Sequence, residues 1–321
     1  MNVEPIQKAG RLPALLAAAV LLAGCQNVQD YVAKFAGNPT EPRFERNVGP
    51  KLAPAPLPRY RVGEAFSFDD GRRETVLAVK GEFVTWRKNR FSTAAGYRNF
   101  LLPSLSWETR TRKSRVRLDA PPGTLWPLRV GNDRRFSMTQ VIEAKGNSRL
   151  TGGKTRIEFK RNWRCAVERT ETVTVPAGTF DTYRIACFRY QPGTGDWRQT
   201  RIFHYAPKIG HFVARQDIYA SRPGRRIRLT AAGFNSTVLS RARQGSLNHV
   251  LQDALNRNPD NVGAKWRGGG LSVTLTPVRT YRNAKGARCR AYRSAYRLGD
   301  RVRSNFRRVC RDAKGIWQRV R

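Results

Sequence analysis

Three groups of arginines are the residues whose type and spacing point most directly to binding chemistry. The guanidinium group is planar and can form paired hydrogen bonds to phosphate or carboxylate. Alternate residues of a β-strand face the same side, so arginines two positions apart would present several cations on one surface. The predicted polyanion-binding residues are Arg110, Arg112, Arg115 and Arg117, then Arg225, Arg226 and Arg228, and finally Arg301, Arg303 and Arg307.

The sequence shows little that could do catalysis. It has no Gly-x-Ser-x-Gly elbow, phosphate-binding loop or His-Glu-x-x-His motif. His204 and His211 flank one turn and could approach each other, whereas His249 has no evident partner. Asp69-Asp70 is typical of a structural turn. We therefore predict no enzyme, no cofactor and no metal site, with a pair of carboxylates distant in sequence as the catalytic alternative.

Four of the five cysteines fall into two symmetric pairs. Cys165 and Cys187 are symmetric about the turn 175–178, and Cys289 and Cys310 about the bond between residues 299 and 300. Two hairpins would place each pair opposite one another, within reach of a disulfide. Zinc binding is the alternative, but there is no Cys-x-x-Cys spacing and no nearby histidine. Two disulfides are predicted, as is typical of an oxidising compartment.

The first 24 residues have the layout of an export signal. Lys8 and Arg11 precede an apolar run, 12–23, that is too short to span a bilayer. The run ends in Leu22-Ala23-Gly24-Cys25, which resembles the lipobox of bacterial lipoproteins. That resemblance implies cleavage before Cys25, acylation of its thiol by palmitate or a similar chain, and, with Gln26 next, the outer membrane. Residues 25–58 are rich in proline and predict an extended tether.

The charge is strongly positive, with 61 Lys and Arg against 23 Asp and Glu, a net charge of +38. In a cytoplasmic protein this excess would indicate nucleic-acid binding. Because an export signal is present, no nucleic acid is expected, and envelope polyanions become the candidate partners. These are lipopolysaccharide, peptidoglycan and anionic lipid. The alternative is that the charge only solvates the surface.

The chain is predicted to be mostly β, in two domains. Residues 59–235 contain short apolar segments separated by turns about every ten residues, which predicts an all-β sandwich or a partly closed barrel. The predicted strands there include 62–68, 75–79, 83–86, 197–205 and 212–219. Residues 244–321 begin with a helix, Gln244 to Asn258, with apolar residues at helical spacing. Strands follow, so this part is predicted to be a small α+β domain with one helix and an antiparallel sheet.

The second domain resembles the 17 kDa surface-antigen family of outer-membrane lipoproteins. The matching segments are Leu251-Gln252-Asp253-Ala254-Leu255, Asn258-Pro259, Thr276-Pro277-Val278-Arg279-Thr280-Tyr281, Gly286-Ala287-Arg288-Cys289-Arg290, Val309-Cys310-Arg311-Asp312 and Gly315-Ile316-Trp317. The family often carries a glycine-zipper segment before this domain, where this chain has a β domain. The hairpin between the cysteines is also richer in arginine than the family pattern.

Together these features predict a non-enzymatic lipoprotein of the cell outer membrane, on its periplasmic face or at the cell surface. It would be held by lipid on Cys25 and bind anionic envelope polymer. Two alternatives remain open at this stage. A cell-wall enzyme would need a cleft with convergent carboxylates, and a protein-assembly or surface-antigen module would need an exposed apolar patch.

Overall fold

A computed structural model describes residues 41–44, 49–119, 125–268, 270–298 and 301–320, except for the side chains of Leu298 and Arg301. The predicted export signal, Cys25 and most of the predicted tether lie outside these residues. Residues 43–321 form one compact unit. No helix in the described ranges is long and apolar enough to cross a membrane.

Twelve antiparallel strands form a closed barrel, in which each strand pairs with the next and the last pairs with the first. The strands are β1 (Glu64–Phe68), β2 (Arg73–Lys80), β3 (Phe83–Asn89), β4 (Ser92–Tyr97), β5 (Ser106–Glu108), β6 (Arg112–Leu118), β7 (Asp133–Ala144), β8 (Arg156–Val175), β9 (Gly178–Tyr190), β10 (Trp197–Ala206), β11 (His211–Tyr219) and β12 (Arg225–Phe234). The predicted β class is confirmed. Of the two predicted forms the structure has the barrel and not the sandwich, because β1 pairs along its length with β12 and closes the twelve strands of this part into one sheet.

A helix and a five-stranded antiparallel sheet follow the barrel, which confirms the predicted composition of this part. The elements are α1 (Arg241–Arg257), β13 (Ala264–Gly268), β14 (Leu271–Arg282), β15 (Arg288–Leu298), β16 (Arg301–Arg311) and β17 (Trp317–Arg319), with the strands in sequence order in the sheet. The helix starts three residues before the predicted position, because Ser240 caps it by accepting a hydrogen bond from the Arg243 amide.

Side-chain alternation, interrupted by a few bulges, largely decides what fills the barrel. On β10, Phe203 and Tyr205 point into the main apolar core, whereas His204 between them is turned outward. The same core takes Cys165, Val167 and Ile185 from β8 and β9. Apolar residues at every second position thus pack the lumen, as the period of two requires.

Both cysteine pairs are joined. Cys165 bonds to Cys187 across β8 and β9, and Cys289 to Cys310 across β15 and β16, each with 4.0 Å between Cα atoms. In both hairpins the two cysteines are direct cross-strand partners, as the sequence symmetry predicts. The sequence separations of 22 and 21 residues mean that each bond closes a short loop of the unfolded chain.

Removing the first disulfide should destabilise the protein measurably. Closing a loop of this size lowers the entropy of the unfolded chain, so Cys165→Ala with Cys187→Ala should lower the free energy of unfolding by about 3 kcal/mol. Urea denaturation monitored by tryptophan fluorescence gives this value. Both proteins are compared under non-reducing conditions, where the Cys289–Cys310 bond is kept in each, and an unchanged midpoint in the variant would contradict the expectation.

Candidate anion-binding site

The first predicted arginine group is exposed but does not share one face. Arg115 and Arg117 of β6 point outward, whereas Arg112, at the start of the strand, is exposed on the same side as the buried, inward-facing Ser114. Arg110 precedes the strand and stacks over the Phe91 ring, 3.6 Å from its centroid. Arg115 and Arg117 are therefore exposed cations on the outer barrel wall, while Arg110 and Arg112 are exposed near the start of β6.

The second group is divided between two faces. Arg225 points into the mouth of the barrel, and its Nε donates to Asp217 over 2.9 Å. Arg226 and Arg228 are exposed on the other side of β12. Arg228 is held by Asp69, whose carboxylate accepts from both its backbone amide and its Nε over 2.8 Å. Asp69 is thus a turn residue, as predicted.

The third group lies where the five-stranded sheet meets the barrel. Arg303 is only 6% exposed, and it donates to the Ile209 carbonyl and lies 3.9 Å from the Glu64 carboxylate. Arg307 lines a cavity of about 890 Å³ between β12 and β16. The side chain of Arg301 is outside the described set. Arg303 therefore helps join the sheet to the barrel and is not presented to solvent.

A second cavity, of about 880 Å³, opens inside the barrel at the end where β11 finishes and β12 begins. One wall is aromatic, formed by residues such as Trp86, Phe100 and Trp107. The facing wall, from β10 to β12, carries Arg201, Arg215 and Arg225. A cavity of this size with one apolar wall and a few convergent polar groups is typical of a ligand site.

Asp217 accepts hydrogen bonds from all three arginines of that wall. It is 1% exposed. Its carboxylate accepts from Arg201 Nε over 2.8 Å, from Arg215 over 3.0 Å and from Arg225 Nε over 2.9 Å. Burial alone would raise the pKa of Asp217, but the charges of Arg201 and Arg215 and the hydrogen bonds lower its pKa to about 2. The carboxylate is thus ionised and fixes the direction of three arginines.

Two more arginines lie beside this wall. Arg161 donates to the side-chain oxygen of Gln140, and burial together with repulsion from Arg189 and Arg201 lowers the pKa of Arg161 to about 10. Burial lowers the pKa of Arg215 to about 10 as well, with repulsion from Arg201 adding to it. Among the described residues, Asp217 is the one carboxylate within ion-pair distance of these five arginines. The cavity therefore has an excess of positive charge at a partly desolvated place, which favours an anion.

A buried polar chain lies at the floor of the cavity. The hydroxyl of Tyr60 is 2.7 Å from His211 Nδ1, and His211 Nε2 is 3.8 Å from the Glu74 carboxylate. Lys88 donates to Glu74 over 2.8 Å. Burial lowers the pKa of His211, so its ring is neutral at pH 7. Burial would raise the pKa of Glu74, but Lys88 and His211 hold it well below its ordinary value.

This chemistry does not suit the carboxylate enzyme considered above. A glycosidase acid must hold its proton near neutral pH, which needs a raised pKa. Glu74 and Asp217 both have lowered pKa values and are ionised. The two candidate histidines are also kept apart by strand alternation, because His204 pairs with Glu171 over 2.8 Å on the outer side. The described residues contain no cluster of three metal-ligating side chains.

The sequence reasoning missed Arg201 and Arg215, which line the cavity, and Arg161, Arg189 and Asp217, which lie beside it. Arg189, Arg201 and Arg215 are spaced among apolar residues, so a search for clusters passes over them, and Arg161 lies in a mixed charged segment that was not among the three predicted groups. These residues could have been found from the sequence by looking for charged residues at strand positions that alternation places in the barrel interior. Arg161 and Trp163 share such a face of β8, and Arg215 and Asp217 share one on β11.

Comparisons with known proteins match a limited part of the chain. No family model matches. The 17 kDa surface antigens of Rickettsia felis and Rickettsia prowazekii are 34% identical to it over 71 residues, which is 22% of this chain and 45% of theirs. The Rickettsia bellii antigen is 32% identical over the same length. The chain thus spans less than half the length of these relatives, and the predicted resemblance is confirmed over about a fifth of the chain.

Two solved structures have loosely similar folds. The hypothetical lipoprotein YmcC from Escherichia coli (K12) superposes with a TM-score of 0.37 at 6% identity, covering 52% of this chain and 82% of that one. A putative exported protein with a YmcC-like fold from Bacteroides fragilis has a TM-score of 0.30 at 13% identity, covering 56% and 99% respectively.

The buried histidine should make stability depend on pH. Because the pKa of folded His211 lies below its ordinary value of 6.5, the unfolded chain binds a proton more readily. The free energy of unfolding should therefore fall as the pH drops from about 7 to about 5, by up to about 1.4 kcal/mol per pH unit for one proton. Below about pH 4.5, protonation of Glu74 in the unfolded chain adds a further loss.

Urea denaturation at a series of pH values measures this dependence. His211→Gln should remove the loss between about pH 7 and about pH 5. His249→Gln, at an exposed position of α1, is the matched control and should keep the wild-type profile. A His211→Gln profile parallel to that of the wild type would show that another group is responsible.

Proposed function

We propose that this chain is a non-enzymatic lipoprotein of the cell envelope that binds an anionic envelope molecule in its barrel cavity. The candidate ligands are lipopolysaccharide, peptidoglycan and anionic lipid. Lipid on Cys25 would hold the protein at the outer membrane. The exposed arginines of the outer barrel wall would attract the polymer, and the cavity would hold one of its anionic groups.

The observation that carries this proposal is the cavity wall formed by Arg201, Arg215 and Arg225, which share the single carboxylate of Asp217, with Arg161 and Arg189 beside it. Asp217 fixes three guanidinium groups in place before any ligand arrives, which lowers the entropy cost of binding. Arg161 and Arg189 add positive charge that the described carboxylates do not balance. A phosphate or carboxylate in the cavity would form charge-assisted hydrogen bonds and reduce the repulsion between the arginines.

An envelope location is supported by three separate features. The lipobox-like segment predicts export and acylation. The similar proteins in Rickettsia are surface antigens by name. Two disulfides suit an oxidising compartment, where they form and persist.

Binding should depend on the cavity arginines more than on the outer ones. Arg201→Gln with Arg225→Gln should weaken binding at least about 10-fold, since each loses a charge-assisted hydrogen bond to the ligand. The measurement is binding of the mature chain carrying Cys25→Ser to purified lipopolysaccharide and to peptidoglycan, over a salt series. Circular dichroism and thermal unfolding would show that the variants are folded.

The matched control is Arg115→Gln with Arg117→Gln, which removes the same charge from the outer barrel wall. This pair should weaken binding slightly, and chiefly at low salt, where exposed charges are poorly screened. Equal losses in the two pairs would mean that the cavity has no special role. Binding that disappears with salt in every variant would contradict a specific site.

Acylation can be tested directly. Expressed in a bacterial host with labelled palmitate, the wild-type protein should carry the label, and Cys25→Ser should lose it because the thiol is the acylated group. Gln26→Ala, beside the cysteine, should keep the label. Label remaining on Cys25→Ser would contradict anchoring at this residue.

A further inference from the structure

The five-stranded sheet has one covered face and one uncovered face. Its inner face packs against α1 and the end of the barrel, with Trp266, Val273 and Tyr296 buried there. Alternate residues must then point the opposite way. We call this opposite side the outer sheet face. Its exposed and half-exposed residues are Lys265, Arg267, Ser272, Thr274, Arg293, Ala295, Arg297, Val302, Ser304, Phe306 and Arg308.

Cations and apolar side chains are neighbours on this face. Phe306 is the cross-strand partner of Arg293, and Val302 is the partner of Arg297. Phe306 is 60% exposed and Val302 is 47% exposed, and both lie on the same face as the arginines. The arrangement is therefore amphipathic in the manner of a membrane-surface element, with basic groups beside aromatic and aliphatic ones.

The side chains at the centre of the face are short and carry no negative charge. Ser272, Thr274, Ala295 and Ser304 are all small. Lys265 and Arg267 on β13 and Arg308 on β16 extend the positive charge and are exposed. Strands β13–β17 contain no Asp or Glu at all. A broad anionic surface could thus approach this face without being repelled by a negative side chain of its strands.

We propose that the outer sheet face docks on the surface of an anionic lipid bilayer. The arginines contact the headgroup phosphates, and Phe306 and Val302 enter the interface between headgroups and acyl chains. A dissolved polysaccharide would satisfy the arginines but offers no apolar layer for Phe306, so the bilayer is the better match. This surface is separate from the cavity inside the barrel, although Val302, Ser304 and Phe306 also line the cavity between β12 and β16. The proposal does not depend on the barrel cavity binding a ligand.

Vesicle binding tests the proposal. The probe is a vesicle of phosphatidylcholine with about 30% phosphatidylglycerol, compared with phosphatidylcholine alone. The protein is the mature chain with Cys25→Ser, so that no acyl chain contributes. We expect binding to the anionic vesicles and little to the neutral ones. Arg293→Gln, Arg297→Gln and Arg308→Gln together should lower the partition coefficient by about 100-fold, given the attraction of each cation to such a surface.

The control removes equal charge elsewhere. Arg112→Gln, Arg115→Gln and Arg117→Gln together should lower the partition coefficient several-fold at most, since β6 would not touch the bilayer. Phe306→Trp tests insertion: brominated lipid should quench the added fluorescence only in anionic vesicles. Phe306→Ser should weaken binding even at high salt, where the apolar contribution remains.

Three results would overturn the proposal. The two triple variants could lose binding equally, which would mean that net charge alone governs it. Phe306→Trp could show no quenching while vesicles are bound, so that another face touches them. The sheet variant could lose binding to lipopolysaccharide or peptidoglycan but not to vesicles, which would identify a polymer as the occupant. The cavity arginines are intact in all these variants, so the outcome is independent of the cavity test.

Discussion

Closure of the barrel is the constraint on which the rest of the structure depends. Once β12 pairs with β1, every second side chain of each strand must lie inside. Most of these positions hold apolar residues, but one end holds Arg161, Arg189 and Arg201 in a partly desolvated space. These arginines would repel one another only weakly in water, but in the partly desolvated barrel they are held close together and repel one another more strongly. Asp217 offsets part of this repulsion, and an anionic ligand would offset more.

Burying charge in this way lowers the stability of the fold, so the arrangement calls for a functional reason. An apolar set of the same volume would be at least as stable as a buried ionic cluster. At the cavity floor, by contrast, Glu74 is paired with Lys88 and His211 is uncharged. The arginine wall differs because its charges exceed its carboxylates. This difference is the reason to regard the wall as a binding site and the floor as structural.

Local sequence patterns predicted those parts of the fold that local chemistry decides. Cysteine symmetry gave both hairpins in register, and apolar spacing gave the helix to within three residues. Strand β7 was not predicted, because Asp133–Ala144 mixes charged, polar and apolar residues and lacks strong turn signals. Closure depends on pairing between residues 64–68 and 229–234, which are far apart in the chain and have no local signature. The cavity could not be predicted for the same reason, since Arg201, Asp217 and Arg161 meet only after closure.

Residue-resolved chemical modification of arginine tests the central claim most directly. The mature chain would be treated with a glyoxal reagent, with and without the envelope polymer that it binds best, and the modified positions read by mass spectrometry. The account predicts that the polymer protects Arg201 and Arg225, while Arg112, Arg115 and Arg117 stay reactive or are protected only partly. Protection of the β6 arginines with Arg201 and Arg225 still reactive would contradict binding in the cavity.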